Sequence, residues 1–147
     1  MGKKMVPVSS ENEIVWANMC VDLWPEGHTV ESFLKERSSG QFKNDFLCIE
    51  GNEYIGFVSL SIRNDYVEGT DSNPVGYIEG IYVIPEYRKQ GVARSMIEFA
   101  KNWSKEKGCK QMASDCLIEN SDSHIFHNKT GFKEANTIVC FVMDIID

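Results

Sequence analysis

This sequence predicts a mixed α/β (α+β) fold, one mixed β-sheet flanked by helices. Three observations carry that expectation. Apolar runs of strand length are bounded by turn residues, and amphipathic stretches at helical spacing separate them. Their order is α-α-β-β-β-α-β-α-β, with room for a short first strand at 5–8. The 147 residues suit a single domain, 1–147, because no repeat, low-complexity tract or linker marks a boundary.

Each element has its own signal. Ser10, Glu11, Asn12 and Glu13 have the form of a capping box, and Trp16, Met19, Cys20 and Leu23 then repeat at helical spacing. Pro25 and Gly27 break that helix. Thr29 suits the next N-cap, Val30, Phe33, Leu34 and Arg37 share a face, and Ser38, Ser39 and Gly40 end it. Strands are expected at 46–50 and 54–62, joined by Gly51 and Asn52, a turn pair that suits a hairpin. Residues 65–74 are polar and turn-rich, and a third strand at 76–84 stops at Pro85. Val92, Met96, Phe99, Ala100 and Trp103 mark one face of a long helix. Lys105 and Lys107 suit its negative end, and Gly108 suits the position after it. A strand at 111–116, a helix at 121–130 ending at Gly131, and a last apolar strand at 137–145 complete the series.

Composition narrows the function. Hydrophobic residues make up 42% and charged residues 25%, an ordinary globular balance. Apolar runs are strand-sized, as at 138–142, so no membrane partner is expected. The basic residues near Met1 are not followed by a signal-like apolar stretch, and a cytoplasmic location is expected. Fifteen basic residues against 22 acidic ones give a charge of −7, and the basic residues cluster only at Arg88–Lys89 and in 101–110. Nucleic acid is therefore not an expected partner, and a cationic small molecule suits the surface better. Cys20, Cys48, Cys109, Cys116 and Cys140 are odd in number and widely spaced, which predicts free, mostly buried thiols. His124 and His127 lie three apart with no evident third ligand, so no metal site is expected.

The segment richest in chemistry runs from Gly80 to Ala93. It is a strand, a short loop and a helix whose start contains Gly91. The first N–H groups of a helix lack internal partners and sit at its positive end, so this geometry binds anions. Gly91 permits close backbone approach, and Arg88 adds charge. Neither a dinucleotide-binding glycine pattern nor a P-loop is present.

The R-x-x-G-x-A run from Arg88 to Ala93, after Ile81, Tyr82, Val83 and Pro85, resembles motif A of the GCN5-related N-acetyltransferase (GNAT) family. Asn120, a short helix and then Gly131-Phe132 resemble that family's second segment. The resemblance covers nearly the whole chain. It implies a GNAT fold with acetyl-CoA as co-substrate at a splayed strand pair. By the same resemblance, the backbone at Gln90, Gly91, Val92, Ala93, Arg94 and Ser95, with Arg88 and Lys89, holds the CoA pyrophosphate. The strand edge at Ile81, Tyr82 and Val83 pairs with the pantetheine arm. A backbone N–H of Val83 or Tyr82 polarises the thioester carbonyl, and Asn120 contacts the arm.

A narrower resemblance follows from Leu23-Trp24, from Tyr66 to Thr70, from Pro74 to Val83, and from Ala113 to Asp115. These resemble the small bacterial aminoglycoside 6'-N-acetyltransferases. That resemblance implies a cationic aminoglycoside acceptor, antibiotic resistance and a homodimer. It places Trp24, Tyr66, Glu79 and Asp115 around the acceptor, with His28 at the mouth. Carboxylates pair with ammonium groups, and aromatic rings pack on sugars and cations. The attacking amine must lose a proton, and Asp115 and Glu79 are both candidates for the base. An unpaired carboxylate in the apolar strand around Glu79 is costly, which favours a functional role for it. Two positions depart from the pattern. His127 stands where many members have a tyrosine that protonates the leaving thiolate, and Asn136 stands where some relatives have an acid. Acetylation of a polyamine or protein amine, or acyl-CoA sensing without chemistry, remains the alternative at this point.

Overall fold

Alternating side chains, hairpin turns and a strongly amphipathic helix assemble much as their patterns require. The computed structural model describes residues 2–146. Its contacts divide the chain into two units, Met1–Asp115 and Cys116–Asp147.

The first unit holds β1 (Lys3–Pro7), α1 (Glu13–Leu23), α2 (Val30–Ser38), β2 (Asp45–Glu50), β3 (Glu53–Arg63), β4 (Val75–Val83), a 3₁₀ turn at Pro85–Tyr87, α3 (Val92–Glu106) and β5 (Gln111–Ser114). The sheet order is β1-β2-β3-β4-β5. The first four strands are antiparallel neighbours, and β5 runs parallel to β4. Gly51, at φ 62°, opens the two-residue turn between β2 and β3.

Consecutive strand residues face opposite sides of the sheet. Leu47, Phe57 and Tyr82 pack with Trp16, Met19, Cys20 and Phe33 from α1 and α2. Phe46 points the other way, its ring 4.8 Å from Phe99 and 6.5 Å from Trp103 on α3. Helices therefore cover both faces. Each fully buried large side chain here contributes about 1.5–3 kcal/mol. The α3 helix lies directly on β4, since a Cβ on Gly76 would fall 2.0 Å from the Ser104 hydroxyl oxygen.

Four expectations need correction. The helix starts later than Ser10 implies: the N-cap of α1 is Asn12, with no side-chain cap bond, because its Oδ1 accepts the Ser9 N–H at 2.8 Å. Thr29, in contrast, forms a capping box with Ser32. Second, Cys20 and Cys48 are buried, Cys109 is half-buried, and Cys116 and Cys140 are exposed. Third, β5 stops at Ser114, where its pairing with β4 ends at Ile78.

The last correction lies in the second unit. It holds α4 (Ser121–Lys129), where Asn120 caps the helix by accepting the Ser123 N–H at 3.1 Å. Residues 132–146 form no strand. Apolar alternation alone does not make one, because a strand needs a neighbour for its N–H and C=O groups.

Candidate active site

Three local features of the first unit converge on β4. The first is the start of α3. Gly91 is its N-cap in the left-handed region at φ 83°, with no side chain capping the first turn. A Cβ there would meet nothing within 4 Å, so the space in front of the helix is open. Lys89 is also left-handed, at φ 63°, a conformation that costs a non-glycine residue about 1–3 kcal/mol. This arrangement fits a phosphate at a helix N-terminus. Arg88 turns back instead, donating from Nε to the Val83 carbonyl at 2.8 Å, with its guanidinium 5.4 Å from the Tyr82 ring centre. Gln90 donates to the Glu86 carbonyl at 3.0 Å, and the Ser95 hydroxyl to the Val92 carbonyl at 2.7 Å.

The second feature is the divergence of β4 and β5. Val75–Ile78 pairs with Gln111–Ser114, and the pairing goes no further. Ile81, Tyr82 and Val83 thus pair with β3 but not with β5. A strand edge left open in this way can accept an extended ligand.

The third feature is a β-bulge. Ser59 is opposite Gly80 and Leu60 is opposite Ile78, which leaves Glu79 as the extra residue on β4. The bulge turns Glu79 outward. Its carboxylate accepts from the Ser61 hydroxyl at 2.5 Å and from Arg63 at 3.0 and 3.1 Å. Glu79 is therefore not the unpaired strand carboxylate that its apolar neighbours imply. Arg63 lies 3.4 Å over the Tyr77 ring, and the Tyr77 hydroxyl donates to Asp115. Burial, with Asp115 beside it, pushes the Tyr77 phenol well above its ordinary value. The two candidate carboxylates are thus the ends of one chain, Asp115–Tyr77–Arg63–Glu79.

A cavity of about 530 Å³ opens beside Glu79, with Trp24, His28, Phe42, Ser59 and Ser61 among its walls. Trp24 packs within about 6 Å of the Phe33, Phe42 and Phe57 ring centres, and His28 stacks on Phe33 at 4.8 Å. Gly80 makes room for that indole, since a Cβ there would lie 2.4 Å from it. Phe42 takes a left-handed φ of 57° at the cavity wall.

The structure brings Trp24, His28 and Glu79 together. Tyr66 and Asp115 do not line this cavity. Tyr66 is 75% exposed in the loop after β3, its hydroxyl accepting the Gly69 N–H at 3.4 Å. Asn120, His127 and Asn136 belong to the second unit. There the Ser123 carbonyl lies 2.7 Å from His127 Nδ1, and a carbonyl only accepts, so Nδ1 carries the proton. From Nε2, His127 then gives up a proton only as imidazolium. No group of three or more metal-ligating side chains occurs among the described residues.

Sequence reasoning missed Asp45, Ser59, Ser61 and Arg63. A signal was present: Ser59, Ser61 and Arg63 are polar at alternate positions of an otherwise apolar strand, and so share one face.

The model of the acetyltransferase (GNAT) family matches residues 13–132. An aminoglycoside N(6')-acetyltransferase type 1 from Salmonella typhimurium is 37% identical over 129 residues, 86% of this chain and 88% of its own. Another from Stenotrophomonas maltophilia is 33% identical over 131 residues, 88% of this chain and 86% of its own. Among solved structures, AAC(6')-Iy in complex with the bisubstrate analog CoA-S-monomethyl-acetylneamine has a TM-score of 0.90 at 32% identity, covering 99% of this chain and 100% of that one. The apo structure of AAC(6')-IG from Acinetobacter haemolyticus has a TM-score of 0.89 at 33% identity, with 97% and 99% covered. Similarity of this extent, in sequence and in backbone alike, leaves one conclusion about descent: the chain belongs to the GCN5-related N-acetyltransferase (GNAT) family.

Proposed function

We propose that this chain transfers acetyl from acetyl-CoA to the 6'-amino group of aminoglycosides, and so confers resistance to them. The observation that carries the reading is the cavity beside the bulged Glu79, lined by aromatic rings and carboxylates, next to the open edge of β4. Polycationic sugars need that lining, and relatives named for this activity match along most of the chain.

In this reading the α3 start at Gly91 takes the CoA pyrophosphate, with the backbone at Gln90, Val92, Ala93, Arg94 and Ser95 around it and Arg88 and Lys89 nearby. The β4 edge at Ile81, Tyr82 and Val83 takes the pantetheine arm, and Asn120 contacts it. A backbone N–H at Tyr82 or Val83 stabilises the oxyanion. The amine first loses its proton, to Asp115 or Glu79 directly or through water. Its lone pair then forms the N–C bond to the thioester carbonyl carbon, and the C–S bond breaks. The departing CoA thiolate takes a proton from His127 as imidazolium or from solvent. Arg63 already neutralises Glu79 in part, which favours Asp115 as the base. Trp24 and His28, which line the cavity with Glu79, complete the acceptor site.

The family match includes parts of both units, which supports one acetyltransferase domain over the whole chain. No helix among the described residues is long and apolar enough to cross a membrane, and we place the enzyme in the cytoplasm. It acts as a homodimer, without nucleic acid, membrane or metal as partners.

The test is CoA release with kanamycin-type and gentamicin-type acceptors. Wild type should turn them over. Asp115→Asn should lower kcat/KM for the drug by about tenfold or more while acetyl-CoA affinity holds. A fall in kcat with loss of the acidic limb of the pH profile identifies a base, and a rise in KM identifies a cation contact. Turnover of polyamines or protein amines alone would replace the aminoglycoside reading.

A further inference from the structure

The first unit contains a buried carboxylate that the mechanism does not use. Asp45, at the start of β2, is 2% exposed, and its cross-strand partner on β3 is Ser59, also 2% exposed. The Ser59 hydroxyl donates to Asp45 Oδ1 at 2.7 Å, and the Trp16 indole N–H donates to Oδ2 at 2.7 Å. Among the described residues no salt bridge reaches Asp45. Arg37, the cation that acts on it from α2, is itself paired with Glu13 at 2.6 Å. A buried carboxylate held by two neutral donors is costly to the fold.

Ser59 is also a wall of the cavity. A hydroxyl has one proton, and the Ser59 proton is committed to Asp45. What Ser59 offers the cavity is therefore a lone pair, with an anion directly behind it. Chains of this kind strengthen each member by polarisation in a poorly solvated interior. Ser61 and Glu79 present the same polarity on the same wall, since the Ser61 proton is committed to Glu79.

We propose that Ser59, backed by Asp45, is a specificity subsite of the cavity that accepts a hydrogen bond from an ammonium group of the acceptor. The inference rests on the aminoglycoside reading and deepens it. Asp45 is a positioning residue in this scheme, because it touches no substrate and acts by fixing the Ser59 proton. Neutralising it removes the anion and frees that proton to rotate toward the cavity. In Asp45→Asn the Trp16 N–H still needs an acceptor, so the amide oxygen faces Trp16 and the amide N–H₂ faces Ser59. Ser59 then accepts from Asn and turns its own proton toward the incoming cation.

The experiment is calorimetric titration of kanamycin and, separately, acetyl-CoA into full-length wild type, Asp45→Asn and Ser59→Ala, over a pH series through neutrality. Both variants should bind kanamycin about tenfold to a hundredfold more weakly, the range for a hydrogen bond to a charged group, with acetyl-CoA affinity unchanged. Wild type should lose kanamycin affinity as pH falls through about 7, where Asp45 takes up a proton. The groups that act on Asp45 include Trp16 and Cys20 from α1, Arg37 from α2, Ser59 from β3 and Glu79 from β4. His28, Glu36 and Lys43 also line the cavity. The quantity read is therefore the difference between wild type and Asp45→Asn, in which contributions common to both cancel. Unchanged kanamycin affinity in both variants, or equal losses of kanamycin and acetyl-CoA, would overturn the subsite. A wild type that acetylates no aminoglycoside would overturn the acceptor assignment beneath it. A wild type that acetylates kanamycin while both variants bind it normally overturns the subsite alone.

Discussion

Asp45 shapes stability as well as recognition. Burial lifts its carboxyl from the ordinary 3.8 to about 7, Glu79 adds to the rise, and Ser59, Trp16 and Arg37 oppose it. Between those values the folded chain holds a proton that the unfolded chain has released. The fold is therefore favoured at the acid end of the interval and loses stability as pH rises from about 4 to about 7. The span corresponds to a term on the order of 4 kcal/mol. Urea unfolding of wild type and Asp45→Asn should show the variant gaining relative stability across that interval and a constant difference above it. Parallel pH curves would contradict the assignment. Sequence reasoning passed over this residue because Asp45 opens a strand, where a carboxylate is usually solvated. Only the cross-strand pairing with Ser59 and the reach of Trp16 from α1 bury it, and both depend on long-range packing.

At the level of elements, the start of α3 was legible and the bulge was not. A glycine between a strand and an amphipathic helix has a local meaning, and Gly91 indeed adopts φ 83° with open space before it. The bulge at Glu79 is a mismatch between two strands, and single-strand periodicity carries no trace of it. The helix start yields its own prediction. Gly91→Ala should cost about 1 kcal/mol of stability from the left-handed φ; its methyl group meets no other residue of the chain, so any loss of acetyl-CoA affinity reads how closely the phosphate approaches the backbone. Gly91→Glu bears the same strain but places a carboxylate where phosphate should lie. Its acetyl-CoA affinity should fall by about tenfold or more beyond the alanine variant. Calorimetry on the pair separates backbone strain from charge, and equal affinities would remove the phosphate from this helix end.

The whole molecule presents a question of coverage. Ile138, Val139, Phe141, Val142, Met143, Ile145 and Ile146 are all exposed, with Phe141 at 92% and Val142 at 96%. The apolar composition of 137–145 predicts a strand, and the structure overturns that expectation, since residues 132–146 form none. Within its own unit the segment has no partner strand to bury it. A run of exposed apolar side chains of this kind marks an interaction site or an aggregation hazard. The homodimer proposed above supplies a cover if these residues lie in its interface. Burying several such side chains at about 1.5–3 kcal/mol each is ample to hold a symmetric pair together. Light scattering at micromolar concentration should then give the dimer mass for wild type. Phe141→Asp combined with Val142→Lys should yield monomer or aggregate, with CoA-releasing activity lost in proportion to the dimer. A wild-type monomer mass would separate the exposed segment from assembly. A doubly substituted dimer of unchanged stability would place the interface elsewhere on the chain.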